Sequence, residues 1–142
     1  MENNSNNSHS NNDNTDVEID RLRQILNNKI NQKKNQIHPS LHNKVYNNSL
    51  QQEIDCLKWV LGQTTNTNTT ATIKNQRQKI IQINKIQDIV QNEVNKLDTT
   101  LRTKSLSIEK RDKFIIYSEI LTWVLYVIQS IKEKGIHWQF NI

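Results

Sequence analysis

The sequence predicts an all-α fold: two tandem helix hairpins forming a four-helix bundle, with a disordered N-terminal tail. Three observations carry this expectation. Gly occurs twice and Pro once in 142 residues, which leaves few of the breakers that strand turns and phosphate-binding loops depend on. Apolar residues recur at steps of three and four in four separate stretches, the period of an amphipathic helix. The chain also nearly repeats itself 64 residues apart. Ile19, Ile25, Asn28 and Asn31 recur as Ile83, Ile89, Asn92 and Asn95, and Leu57-Lys58-Trp59-Val60-Leu61 recurs as Leu121-Thr122-Trp123-Val124-Leu125. A unit of that length reads as helix, turn, helix, made twice. Asn and Ile are abundant enough to inflate chance matches, so the shared register of two of the three tryptophans carries most of the weight.

The elements follow in order. Residues 1–15 are Asn-rich and have almost nothing to bury, so disorder is expected there. The first hairpin is assigned to 16–62. Thr15 and Glu18 have capping-box spacing, and Ile19, Leu22, Ile25, Leu26 and Ile30 form the first stripe, which fades through Lys33-Lys34-Asn35. Pro39 favours a first helical turn, so the second helix is expected to begin near Pro39 or Ser40. It carries Leu41, Val45, Leu50, Ile54, Leu57 and Leu61, with Gly62 as its stop. Residues 63–73 are a Thr/Asn linker of poor helix propensity. The second hairpin, 74–134, holds a helix with Ile83, Ile86, Val90, Val94, Leu97 and Leu101. Its other helix carries Phe114, Tyr117, Leu121, Val124, Ile128 and Ile131, closed by Gly135. Residues 135–142 form an extended C-terminal peptide in which Ile136, Trp138, Phe140 and Ile142 alternate with polar residues.

Residues 112–135 resemble the second helix of a BAG domain, a three-helix co-chaperone module. The residues concerned are Asp112-Lys113, Glu119-Ile120-Leu121-Thr122, Leu125, Ile128, Ser130 and Ile131. The resemblance implies contact with the nucleotide-binding domain of a heat-shock chaperone. The family's basic third helix has no counterpart after residue 135, and that helix carries much of the chaperone contact.

The pattern excludes more chemistry than it suggests. There is no Gly-rich phosphate loop, and an enzyme is not expected. Asp55 and Glu119 match across the repeat, yet two carboxylates on separate hairpins are not a catalytic dyad without a cleft. His38 and His42 are four apart with no third ligand nearby, so neither metal nor cofactor is expected. Cys56 lies within an apolar helical pattern, lacks the basic setting that activates a thiol, and reads as core. The lone cysteine and the absence of an apolar leader in the first sixteen residues lead to an intracellular, cytoplasmic expectation. The stretch Phe114–Ile131 is apolar enough to raise membrane insertion, but Glu119 near its middle would cost about 2.5–3.5 kcal/mol, and a buried helix explains it better.

Three interaction readings remain, the last of them peripheral membrane association through the fourth helix. The first is a protein partner, or self-association, held through a bundle face or the C-terminal peptide, with Leu121, Trp123, Trp138 and Phe140 as contact residues. The second is a nucleic-acid-associated accessory subunit. In an up-down-up-down bundle both hairpin turns share one end, where Arg102, Lys104, Lys110, Arg111 and Lys113 would gather and could contact a phosphate backbone. The formal charge is +5, and Lys outnumbers Arg 14 to 5. With the Asn and Ile excess, this is the bias of an AT-rich coding sequence, so a solvated lysine-rich end is the plain alternative.

Overall fold

The computed structural model describes residues 2–37, 44–65 and 82–137, with side chains from Val17 onward and, at the end of the second stretch, as far as Thr64. Helices α1 (Glu2–Gln36), α2 (Lys44–Thr65), α3 (Ile83–Thr103) and α4 (Ile108–Lys134) account for nearly all of them, and no strand occurs among the described residues. The expected all-α, four-helix arrangement is the one observed.

Each helix forms around its apolar stripe. Ile19, Leu22, Ile25, Leu26 and Ile30 of α1 are buried, as are Leu50, Ile54, Leu57 and Val60 of α2. Buried Ile83, Ile86, Val90, Val94 and Leu97 line α3. From α4 come Ile120, Leu121, Val124, Val127, Ile128 and Ile131. Positions 64 residues apart play the same part: Leu22 and Ile86, Leu26 and Val90, Leu57 and Leu121, Val60 and Val124 are all in the core.

Contacts fix the directions. Arg23 reaches Thr64 and Lys33 pairs with Glu53, so α1 and α2 are antiparallel. Ser118 donates to Asp98 at 3.5 Å and Gln87 to Gln129 at 3.1 Å, so α3 and α4 are antiparallel too. Lys29 lies 5.2 Å above the Trp123 ring, while Ile136 shares a depression with Val17 and Arg21. Helix α4 therefore runs opposite to α1 and parallel to α2. The topology is up-down-up-down, with both hairpin turns at one end. The most extensive interfaces are α3–α4, α1–α2 and α2–α4.

The ends of the elements depart from expectation in three places, at Thr15, Val45 and Gly62. Helix α1 spans Glu2–Gln36, so its backbone is already helical ahead of Thr15, and Thr15 is not an N-cap. Once a packed turn exists, each added residue contributes a hydrogen bond without a new nucleation cost. Helix α2 begins at Lys44, and the expected start at Pro39 or Ser40 lies outside the described residues. Val45, expected in the stripe, is 80% exposed, because α1 ends before reaching it. Helix α2 also runs through Gly62 to Thr65. Its last turn is held by Arg23, whose Nε donates to Thr64 Oγ1 at 2.9 Å and whose Nη2 donates to the Thr64 carbonyl at 2.8 Å, satisfying a carbonyl that the helix leaves open. Of the remaining linker, 66–73 lies outside the described residues.

At the two ends of α4 the local signals are clear, and Gly135 closes the helix as expected. Ser107 caps α4, its hydroxyl accepting from the Lys110 amide at 3.2 Å, and Gly135 ends the helix at φ 88. Among the described helices α4 has the length and apolarity to cross a membrane. Ile120, Leu121, Val124, Val127, Ile128 and Ile131 of this helix pack in the shared core, while Ile108, Ile115 and Tyr126 are exposed, as is Glu119.

Candidate interaction site

Groups that could do chemistry are separated from one another. Cys56 is buried and its thiol donates weakly to the Tyr117 carbonyl at 3.9 Å. Burial, with Glu93 adding a smaller push, raises its pKa to about 12, so it is protonated and inaccessible near neutrality. Asp55 and Glu119 both face solvent. Among the described residues no three His, Cys, Asp or Glu side chains approach closely enough to hold a metal ion. His38 and His42 lie outside the described residues. The depressions on the described surface are shallow. One of about 340 Å³ is lined by Val17, Asp20, Arg21, Gln24 and Ile136, and it brings together no nucleophile with a base.

The residues expected to hold a protein partner are divided. Leu121 is 1% exposed and packed in the core, so the folded chain has no Leu121 surface to offer. Trp123 is half-buried, with the Lys29 ammonium over its ring. Partial burial is the first reason that Lys29 has a lowered pKa, and neighbouring Lys33 the second, with Glu53 acting against both. Trp138 and Phe140 lie outside the described residues.

The five cations of the second reading share one end. Arg102 and Lys104 stand at the close of α3, and Lys110, Arg111 and Lys113 in the first two turns of α4, all exposed. Lys113 lies 5.5 Å from the Tyr117 ring. Neither the Arg23–Asp20 nor the Lys33–Glu53 ion pair draws on these five.

Sequence reasoning missed the apolar half of this end. Val45 is 80%, Tyr46 50%, Ile108 78% and Ile115 39% exposed, all at the beginnings of α2 and α4. The signal was present but faint: the α1 stripe dies at Lys33-Lys34-Asn35, so apolar residues opposite the missing turns had nothing to pack on.

Compared with protein-family models, with curated proteins and with solved structures, the chain shows no match, so the BAG-like pattern of residues 112–135 gains no support from those comparisons.

Proposed function

We propose that this protein is a non-enzymatic interaction module, an adaptor or complex subunit, whose working surface is the turn end of the bundle. The observation that carries this reading is the coincidence there of surplus charge and exposed apolar side chains. Lys34, Lys44, Arg102, Lys104, Lys110, Arg111 and Lys113 are exposed at that end, against Glu109 and Asp112. That surplus equals the +5 of the whole chain. Coding bias toward lysine would scatter surplus cations over the whole surface, whereas among the described side chains outside this end cations and anions are equal in number. Exposed Val45, Tyr46, Ile108 and Ile115 add the apolar area that an interface needs at its centre. The C-terminal peptide with Trp138 and Phe140 is a second contact in this reading.

The test compares the native chain with a variant carrying Lys104→Glu, Lys110→Glu and Arg111→Glu. Both are used in tagged capture from the native cell, with and without nuclease. Retention by the native chain after nuclease, and loss by the variant, is the expected result. Identical capture by both would remove the turn end from consideration.

The exposed cations favour one other reading, an accessory subunit lying on a phosphate backbone. It predicts that capture vanishes with nuclease and that affinity falls steeply with salt, the slope shrinking by about one for each phosphate contact removed.

A further inference from the structure

Resting on that reading of the turn end, we infer that Ser105 is a phosphorylation site for an arginine-directed protein kinase, and that its phosphate releases the partner by cancelling charge. The α3–α4 connection, Lys104 to Ser107, is described throughout. Lys104 lies at φ −111 and ψ 146 and Ser107 at φ −63 and ψ 158, so the segment is extended at both ends. Among the described residues, Ser105 and Ser107 are the hydroxyl side chains that stand outside helices. A substrate hydroxyl must come into line with the γ-phosphoryl group of ATP inside the kinase cleft, which a hydroxyl held in a packed helix cannot do without unwinding.

The neighbouring hydroxyls are engaged. Ser107 accepts from the Lys110 amide at 3.2 Å and caps α4, and Thr103 donates to the Thr99 carbonyl at 2.7 Å. Ser105 is exposed, three residues after Arg102, one after Lys104 and one before Leu106. A guanidinium at that spacing suits a kinase whose substrate groove carries carboxylates, because paired Arg–carboxylate bonds fix register as well as adding affinity. Arg102 lies in the last turn of α3, five residues past Leu97, the last buried residue of that helix. That turn can open into the groove without uncovering the core.

Neither composition nor the repeat accounts for the pattern. Lys outnumbers Arg 14 to 5, so coding bias alone favours lysine at 102. The positions 64 residues earlier are His38, Ser40 and Leu41, so the motif belongs to the second hairpin and not to the folding template.

The consequence is electrostatic. The Ser105 Oγ attacks the γ-phosphorus of ATP, its proton passes to the kinase's catalytic aspartate, and ADP leaves. One O–P bond forms at Ser105 as one O–P bond to ADP breaks. The product carries about −1.5 to −2 near neutrality. At the turn end, seven cations less two anions leave a surplus that falls from +5 to about +3. Arg102 and Lys104 are near in sequence, and the Ser107–Lys110 cap folds the start of α4 back toward the segment. The phosphate oxygens therefore compete for the cations that a partner would use.

The test treats the folded full chain with Mg-ATP and either an arginine-directed or an acid-directed kinase, read by peptide mapping in a mass spectrometer. Phosphate on Ser105 from the first kinase and none from the second is expected. Ser105→Ala is expected to abolish it, and Ser107→Asn, which retains a capping side chain, to leave it unchanged. Arg102→Gln is expected to slow the reaction about ten-fold or more, through loss of a charged hydrogen-bonding pair. An unmodified chain, phosphate on another hydroxyl instead, or a rate indifferent to Arg102 overturns the inference. The phosphorylated chain then enters the nuclease-treated capture beside the unmodified chain and kinase-treated Ser105→Ala. Loss by the phosphorylated chain alone is expected. Retained capture overturns the switch, and the turn end still stands if Lys104→Glu/Lys110→Glu/Arg111→Glu abolishes capture. If neither the phosphate nor the charge reversal alters capture, both readings fall.

Discussion

Leu121 shows what a single apolar side chain conceals in a sequence. Its place in a regular stripe fits a monomer core and a subunit interface equally, because both exclude water by the same physics. The structure puts it in the core. Leu121→Ala is accordingly expected to cost about 2–5 kcal/mol in denaturant unfolding, and Leu121→Asp to abolish the fold, since a buried carboxylate there has no partner. A folded, soluble Leu121→Asp monomer would show instead that this side chain faces outward. Cys56 makes the complementary case, for its burial was legible in the pattern around it. With its pKa raised to about 12 from an ordinary 9.0, the unfolded chain loses the thiol proton first as pH rises. The protonated thiol's contribution to stability is thus complete below about pH 9 and declines toward pH 12, by as much as about 1.4 kcal/mol per pH unit. A Cys56→Ala variant is expected to lack that slope in unfolding curves between pH 9 and 10. Equal slopes in the two proteins would mean that the thiol is solvated.

At the level of elements, two glycines follow apolar stripes and both read as stops, yet only one is. Gly135 sits at φ 88 and ψ 171, a region nearly reserved for glycine. Gly62 lies inside α2, with open space where a Cβ would stand, because the Arg23–Thr64 contacts carry the helix onward. That contact joins residues 41 apart, and no local rule registers it. Opposite outcomes are expected: Gly62→Ala should gain about 0.5–1 kcal/mol, and Gly135→Ala should lose about 1–3 kcal/mol. Equilibrium denaturation of the two variants checks both, and a loss at Gly62 would mean that its surroundings are crowded. The interiors of all four helices were readable from periodicity. Their ends were harder, since ends depend on which neighbour is present at that height: Val45 fits its own helix's stripe and is exposed only because α1 has already stopped.

For the whole molecule, the hairpin repeat was legible and the exposure of Val45 and Ile108 was not, because it depends on where neighbouring helices stop, which no single stripe records. The repeat also bears on folding. Each hairpin presents an apolar face that only the other covers, as the α2–α4 interface and the mixed core show. Chains 1–70 and 71–142, made separately, are expected to have little helical signal alone and to regain it on mixing. Independent folding of either at low concentration would mean that the hairpins are autonomous units. The antiparallel course of α1 and α4, which sets Ile136 beside Val17, has a practical corollary. Residues 137 and 17 leave the packed body together, at the end remote from the turns. A dye at residue 17 or 137 is thereby held off from Ile108 by about the length of α4, 27 residues or about 40 Å, so a label at either position reads the far end of the bundle without crowding the turns.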